Sequence, residues 1–485
     1  MADDLLDFDE RGCLCAAFGT RTRFVLMPVV LLCLSFIWAN ILSFNLGVIC
    51  LNKAIEDNDT SVEGYHEITS HQQTYAIAAM AAGALVGNFP VVFLVNRFGM
   101  RTIFGFLGII STAATLLMPI AIKGGYAFLI ICRVLQGCAF AANFPSIGAF
   151  SARWIYQKQS GFIVSILVSY VQIAPIFTNP VSGALCDSMG WASIFYCHGI
   201  ISGILFFIYL FVFRNNPKKH PFVGPLEAEK VARGKPSGKS AAPTPYAAIL
   251  KTPAVWAIWI AAVGNFVIIN VFFVFTPTYL SKVLGFSVAK TGFSGLYPPL
   301  VQLITKVGTG LVSDKIHFIS EVWKYRIFNS ISFFGAAGTT VALAFMGDHN
   351  PVANSPVMAV ALGILGLNCG GFYKAAPTLS KQYGAFVMGY VSQCNCLVLL
   401  IIPFIVQAIT PDNTVGQWMI VFFIVAGSLI VSNIVFVVFC QGEPFEWTKP
   451  DWNRPAAVVP VPSPTPSSIR PTFLTPEDLD LSLKM

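Results

Sequence analysis

Residues 126–150 read YAFLIICRVLQGCAFAANFPSIGAF, an apolar stretch interrupted by a single charged residue, Arg133. A helix crosses the roughly 30 Å hydrocarbon core of a bilayer with about 20 predominantly apolar residues, so this stretch is long enough to span a membrane. An arginine inside a span costs about 2.5–3.5 kcal/mol on insertion scales, and such residues usually serve a function. The stretch therefore predicts a membrane-spanning helix with a candidate functional residue in its interior.

The same pattern recurs along the chain. Charged residues are 11% of the 485 residues and hydrophobic residues 55%, whereas ordinary soluble domains are about 25% charged. This composition excludes a soluble globular protein, a disulfide-rich secreted scaffold and a nucleic-acid-binding chain. We predict an all-α integral membrane protein with twelve transmembrane helices, at 24–51, 73–95, 102–122, 126–150, 161–185, 191–213, 253–276, 291–313, 326–346, 355–376, 385–409 and 417–440.

The predicted spans fall into two groups of six. The segment between the groups is rich in Lys, Pro, Gly and Ser, which is typical of a flexible linker. The Pro-rich C-terminal tail cannot form a packed core. The predicted domains are a cytoplasmic N-terminal tail (1–23), an N-terminal six-helix bundle (24–213), a cytoplasmic linker (214–252), a C-terminal six-helix bundle (253–440) and a disordered cytoplasmic tail (441–485).

The loop charges predict the orientation. With both termini inside, only four of the 30 Lys and Arg residues fall in external loops, at Lys53, Lys123, Lys282 and Lys290. Cytoplasmic loops carry the excess of Lys and Arg in membrane proteins, so this bias favours cytoplasmic termini. The sequence Asn58-Asp59-Thr60 in the first external loop is a glycosylation acceptor, which agrees with that topology.

The twelve cysteines indicate no further chemistry. Most lie inside apolar spans, where cysteine behaves as a small hydrophobic residue. No pair in the predicted external loops suggests a disulfide, and no Cys/His spacing is typical of a metal site. Neither a disulfide nor a metal site is therefore predicted.

Two short loops occupy equivalent positions after the second span of each half. They read NRFGMR at 96–101 and GLVSDK at 310–315, and they resemble the paired cytoplasmic signature of the major facilitator superfamily. The RVLQG sequence at 133–137 resembles a second signature of that family. The candidate gating and motif residues are Asn96, Arg97, Gly99, Arg101, Gly310, Asp314, Lys315, Gln136 and Gly137.

Further matches resemble one branch of this superfamily, which contains sialin, the vesicular glutamate transporters and the sodium-phosphate-type organic anion carriers. They include Phe144-Pro145, Gly190-Trp191 and Pro277-Thr278-Tyr279-Leu280. The resemblance implies the major facilitator fold, in which two pseudo-symmetric six-helix bundles enclose a central cavity that opens to alternate sides.

Three basic residues, Arg133, Lys306 and Lys374, fall within predicted spans, whereas no Asp or Glu lies in a span interior. Arg133 either attracts an anionic substrate or braces helix packing. Lys306 either serves a function on a helix face that water can enter or extends its ammonium to the membrane interface. Lys374 lies near a helix end, where its ammonium is expected to reach the membrane interface. Because the predicted spans lack an acidic residue, two explanations of coupling are open. Either transport is coupled to protons through His198 or through the substrate itself, or transport is not driven by protons.

The chain departs from the anion-transporting branch at polar positions. Where relatives carry arginine, glutamate and arginine, this chain has Ser43, Phe140 and Asn265. Gln172 and Tyr297 lie near prolines, which disturb helical hydrogen bonds. The predicted substrate-binding residues are Arg133, Ser43, Phe140, Gln172, Asn265, Tyr297 and Lys306.

The first gating loop also differs from the family pattern. Asn96 occupies the place of an acid, and its amide cannot form an ion pair with Arg97 or Arg101, whereas the second loop keeps Asp314. We therefore expect the N-terminal loop to stabilise the outward-facing state less than an acid would.

These features predict a secondary active or facilitative transporter of a small organic solute, in the first instance an organic anion, that works by alternating access. Two alternatives stay open: a non-transporting sensor or scaffold with the same fold, and a carrier of a neutral solute. An enzyme is not expected, because no carboxylate pair, metal cluster or nucleophile–base spacing is present. We expect no cofactor other than a coupling ion, which would be a proton or sodium. We expect a monomer in the plasma membrane or in an endosomal, lysosomal or vesicle membrane.

Overall fold

The computed structural model describes residues 21–57, 62, 64–154, 160–232, 245–316, 318–347, 351–449 and 452, and every regular element in these ranges is helical. The helices before residue 214 are α1 (Thr22–Glu56), α2 (Ser70–Phe98), α3 (Met100–Leu116), α4 (Met118–Gly124), α5 (Tyr126–Phe140), α6 (Asn143–Trp154), α7 (Ser160–Val168), α8 (Tyr170–Met189) and α9 (Trp191–Val212). The later helices are α10 (Pro225–Ala232), α11 (Tyr246–Lys251), α12 (Pro253–Val274), α13 (Val288–Ser294), α14 (Tyr297–Lys315), α15 (Glu321–Met346), α16 (Pro351–Leu365), α17 (Phe372–Ser380), α18 (Gly384–Ile409) and α19 (Val415–Phe439). Shorter helical turns occupy Pro217–Lys219, Thr276–Thr278, Tyr279–Val283, Gly366–Gly370, Lys381–Tyr383 and Glu446–Thr448.

The chain forms an all-helical membrane protein. Eight helical segments in the described ranges are long and apolar enough to cross a membrane, and the count is nine if α3 and α4, which meet at a bend of 53°, form one span. These nine coincide with nine of the twelve predicted spans. At the other three, 73–95, 161–185 and 291–313, the structure has α2, α7 with α8, and α14, which fall outside that count.

Single glycines make the turns between several consecutive helices. Gly99 separates α2 from α3 with a φ of +87°, and Gly190 separates α8 from α9 with a φ of +80°. Glycine adopts positive φ without the steric cost that a Cβ imposes. Because these turns are so short, each pair of consecutive helices lies side by side.

Small residues let α2 and α5 approach closely. A Cβ on Gly137 would lie 2.9 Å from the backbone nitrogen of Ala84, and a Cβ on Gly83 would lie 3.2 Å from Val134 Cα. Helices in membranes associate through such backbone contact, since lipid supplies no hydrophobic driving force between them. This contact fixes the position of Arg133, which lies on α5 beside it.

Part of the predicted linker folds against the start of α1. Glu227 on α10 is buried, and its carboxylate accepts hydrogen bonds from the backbone amides of Thr22 and Arg23, both at 3.2 Å. A carboxylate near the positive end of a helix dipole stabilises it by about 0.3–1 kcal/mol. His220 is also buried, donates from Nε2 to the Val212 carbonyl at 3.0 Å, and has its pKa lowered by that burial. The linker is therefore partly helical and packed, and residues 233–244 lie outside the described part.

The structure contains one disulfide that was not predicted. Cys50, near the end of α1, is bonded to Cys186, near the end of α8. The expectation of no disulfide was wrong because Cys50 was placed inside a span, so no pair of loop cysteines was recognised. We call the end of the molecule with this bond the disulfide end, and the opposite end, where Glu227 lies, the linker end.

Candidate site in the membrane-spanning helices

Arg133 is buried within the N-terminal helices, with 1% of its surface exposed. Its Nη1 donates to Gln136 Oε1 at 2.7 Å and to the Ile41 carbonyl at 3.3 Å, while Nε donates to the Ala76 carbonyl at 3.3 Å. The guanidinium carbon also lies 4.4 Å from the centre of the Phe44 ring. The side chain thus joins α5 to α1 and α2, which is the bracing arrangement that the sequence left open for this residue.

Gln136 extends this network. Its Nε2 donates to Thr115 Oγ1 at 2.8 Å and to the Asn40 carbonyl at 3.2 Å. Asn40 in turn donates to the hydroxyls of Ser111 and Ser202, each at 3.1 Å. Buried polar groups need partners of this kind, because an unpaired one costs about 1–3 kcal/mol. The signature at 133–137 therefore links α1, α3, α5 and α9 through side chains.

Lys306, on α14, has a different environment. It is 9% exposed, and its Nζ lies 5.1 Å from the centre of the Tyr373 ring. Within the described part of the chain, Nζ has no hydrogen-bond or ion-pair partner. An ammonium above an aromatic face gains about 0.5–2 kcal/mol, which offsets only part of the cost of burying its charge. Lys306 is therefore a buried cation whose hydrogen-bond donors are available to a ligand.

Asn265 and Asn368 hold the hydroxyl of Tyr373. Asn368 Nδ2 donates to Asn265 Oδ1 at 2.6 Å, and Asn265 Nδ2 donates to the Tyr373 hydroxyl oxygen at 3.2 Å. Because the hydroxyl oxygen already accepts, its proton is free to be donated elsewhere. This places a second hydrogen-bond donor beside Lys306.

The N-terminal helices meet this region through one hydrogen bond. Gln172 Nε2, on α8, donates to Gln302 Oε1, on α14, at 3.1 Å. Gln302 and Lys306 are four residues apart, so they lie on the same face of α14. The structure therefore brings together Lys306, Asn265 and Gln172 of the predicted binding set.

The other predicted binding residues lie elsewhere. Ser43 is buried and donates back to the Asn40 carbonyl of its own helix at 2.9 Å. Phe140 packs against Trp38, with ring centres 5.0 Å apart. Tyr297 is half exposed at the start of α14.

Sequence reasoning missed Tyr373, Asn368 and Gln302. Tyr373 lies near the end of the tenth predicted span and directly before Lys374. Its neighbour Lys374 donates from Nζ to Ser313 Oγ at 3.1 Å, so this lysine has a protein partner. The signal in the sequence was a tyrosine that closely follows the glycine-containing segment 366–371.

The gating loops lie at the linker end. Arg101 donates from Nε to the Leu210 carbonyl at 2.9 Å, and its backbone amide donates to Asn215 Oδ1 at 2.8 Å. Arg97 lies over the Phe98 ring at 5.8 Å. In the second loop, Gly310 is half-buried and Lys315 exposed. The side chains of Asn96 and Asp314 lie outside the described part, as does the glycosylation acceptor Asn58.

At the disulfide end, the N-terminal and C-terminal helices are in close contact. Asn179 Nδ2, on α8, donates to the Gly295 carbonyl at 2.9 Å. A Cβ on Gly292 would lie 3.0 Å from the Cα of Gly183. We call the meeting of Gly183 and Gly292 the glycine contact. It leaves no room for a side chain between α8 and α13.

Comparisons with known proteins agree with this architecture. The family model of the Major Facilitator Superfamily matches residues 12–403. Sialin of Homo sapiens is 27% identical over 422 residues, covering 82% of this chain and 85% of that protein. Sodium-dependent phosphate transport protein 1 of Mus musculus is 26% identical over 387 residues (78% and 82%), and vesicular glutamate transporter 1 of Bos taurus is 24% identical over 457 residues (90% and 80%).

These relatives confirm the branch that the sequence motifs resembled, and they belong to a family of transporters, not of enzymes. The RVLQG signature and the paired loops are thus explained together. The chain belongs to the Major Facilitator Superfamily.

Proposed function

We propose that this chain is a secondary active or facilitative carrier of a small organic anion, working by alternating access through twelve spans arranged as two six-helix bundles. The family supplies the general activity. Three further spans, formed by α2, by α7 with α8, and by α14, would complete the two sets of six. The loop charges and the disulfide, which is favoured on the non-cytosolic side of a membrane, support cytoplasmic termini.

The observation that carries the proposal is the uncompensated positive charge of Lys306. It is buried on α14, and it has no partner in the described residues that would neutralise it. Since no Asp or Glu lies in the interior of a span, an anionic solute is the charge that best offsets it.

Uptake into proteoliposomes tests this function. The purified chain would be supplied with labelled organic anions, phosphate and neutral solutes, with and without imposed proton, sodium and voltage gradients. Saturable uptake of an anion that is lost in Lys306→Gln and kept in Lys374→Gln supports the carrier, and the effective gradient names the coupling ion. Lys374 is a suitable control because it lies on a neighbouring helix and already has Ser313 as a partner.

One observation favours the alternative of a non-transporting sensor. The hydrogen bonds of Arg133 all run to groups of its own half, as expected if this half no longer binds a solute. If protein with a normal unfolding transition took up none of the solutes in the panel, that result would favour the sensor. Uptake of neutral solutes alone would favour the neutral carrier.

A further inference from the structure

The surroundings of Lys306 supply hydrogen-bond donors in a particular arrangement. Nζ of Lys306 and the hydroxyl proton of Tyr373 both lack an acceptor among the described residues. The oxygen of Tyr373 is occupied by Asn265, which is itself held by Asn368. A carboxylate has two oxygens that can accept from these two donors, and hydrogen bonds to an ionised acceptor are the stronger kind.

The charge available at this site is small. Arg133 already uses Nε and Nη1 for groups of its own half, so Lys306 is the buried cation that the described residues leave without a partner. One unpartnered cation neutralises one negative charge, whereas a second charge on the ligand would be buried without a partner. The site therefore suits a monoanion.

Aromatic rings extend from this site into the N-terminal helices. Tyr170 lies on α8, two residues before Gln172, whose side chain contacts Gln302 on α14. Tyr170 is buried and packs edge-on against Phe144, with ring centres 6.2 Å apart. One helical turn before Phe144, Phe140 packs against Trp38 at 5.0 Å. Aromatic faces and edges receive a planar ring better than a hydrated polar group.

We propose that Lys306 and Tyr373 bind the carboxylate of an aromatic monocarboxylate, with Asn265 and Asn368 positioning the Tyr373 hydroxyl and the aromatic series from Tyr170 to Trp38 receiving the ring. This inference rests on the proposed function, and it names the substrate class and the half of the molecule that recognises the charge. It also assigns Asn265, at a position where relatives have arginine, the role of positioning residue. In this proposal the cation that binds the substrate in the C-terminal half is Lys306, on α14, and not a residue at position 265, on α12.

Binding of labelled benzoate to the full-length protein, measured by equilibrium dialysis, tests the site. Benzamide keeps the ring without the charge, cyclohexanecarboxylate keeps the charge without the aromatic ring, and benzene-1,3-dicarboxylate adds a second charge. We expect that none of these three compounds displaces benzoate, even at concentrations up to about ten times the Kd of benzoate. We expect binding to weaken more than ten-fold in Lys306→Gln and about ten-fold in Tyr373→Phe, and to be unchanged in Lys374→Gln.

A double-mutant cycle tests the positioning role. Asn265→Ala should weaken benzoate binding several-fold in the wild-type background and have no further effect in Tyr373→Phe, because the hydroxyl that Asn265 positions is then absent. Equal effects of Asn265→Ala in both backgrounds would overturn the positioning role. Benzoate binding to Tyr373→Phe as tight as to the wild type would overturn the site.

The inference and the proposed function fail in different ways. If the proteoliposomes take up phosphate, dicarboxylates or aliphatic anions but the protein does not bind benzoate, the substrate class is wrong and the anion carrier stands. If no anion is taken up under any gradient by folded protein and benzoate does not bind, the proposed function is wrong as well.

Discussion

The two halves of this molecule each bury a basic residue, and they treat it in opposite ways. Arg133 in the N-terminal half is held by two backbone carbonyls, a glutamine and an aromatic face. Lys306 in the C-terminal half lies over a tyrosine ring and has no other partner in the described chain. The difference teaches that a charge inside a span does not by itself indicate a binding residue, and that its hydrogen-bond partners distinguish bracing from binding.

Removing Arg133 should have the largest effect on stability. Arg133→Ala leaves Gln136 Oε1 without its donor, and an unpaired buried group costs about 1–3 kcal/mol. It also removes the additional hydrogen bonds to the helical carbonyls of Ile41 and Ala76 and the buried volume of the side chain. We expect the free energy of unfolding to fall by about 3 kcal/mol, measured by thermal or denaturant unfolding in detergent. Unchanged stability with abolished anion uptake would show instead that Arg133 is free for the substrate.

Opening the glycine contact should have the next largest effect. Gly292→Val forces a side chain against Gly183 and Asn179, and such overpacking costs about 1–3 kcal/mol. We expect the disulfide end to open, so that a cysteine introduced at Lys306 reacts with a membrane-impermeant thiol reagent added from that end. Gly389, whose Cβ would meet nothing within 4 Å, supplies the control Gly389→Val. Equal labelling of both variants would argue against the glycine contact as the barrier.

Replacing Lys306 should change stability less and in the other direction. Lys306→Gln removes a buried charge without leaving a partner unpaired, so the free energy of unfolding should be unchanged or rise by about 1 kcal/mol. The same variant should lose anion uptake in proteoliposomes. A loss of stability as large as that of Arg133→Ala would remove the distinction between the two halves.

The smallest expected effect is at the first gating loop. Asn96→Asp introduces a carboxylate next to Arg97 in the sequence, and ion pairs between solvent-exposed side chains contribute about 0–1 kcal/mol. We expect a modest shift of accessibility labelling toward the outward-open state, measured with the same cysteine at position 306. Asn96→Gln, which keeps an amide, is the matched control, and an identical labelling pattern in the two variants would contradict the expectation.

Much of the architecture could be predicted because it depends on local sequence. The length and hydrophobicity of a span are properties of one stretch of about 20 residues, so nine of the twelve predicted spans coincide with apolar helices of sufficient length. The bond between Cys50 and Cys186, which are 136 residues apart, was missed because Cys50 lies inside a predicted span. The helical part of the linker was missed because Glu227 packs against Thr22, across about 200 residues of chain, and not against its own neighbours.

The candidate site divides in the same way. The sequence by itself determined a membrane protein of this superfamily, with basic residues and no acids inside its spans, because hydrophobic length and motif spacing are read along the chain. Only the tertiary structure decided that Arg133 is engaged, that Lys306 is not, and that Asn265 donates to the Tyr373 hydroxyl. The physical reason is that the partners of a buried charge come from other helices, and a hydrogen bond exists only where folding brings donor and acceptor within about 3 Å.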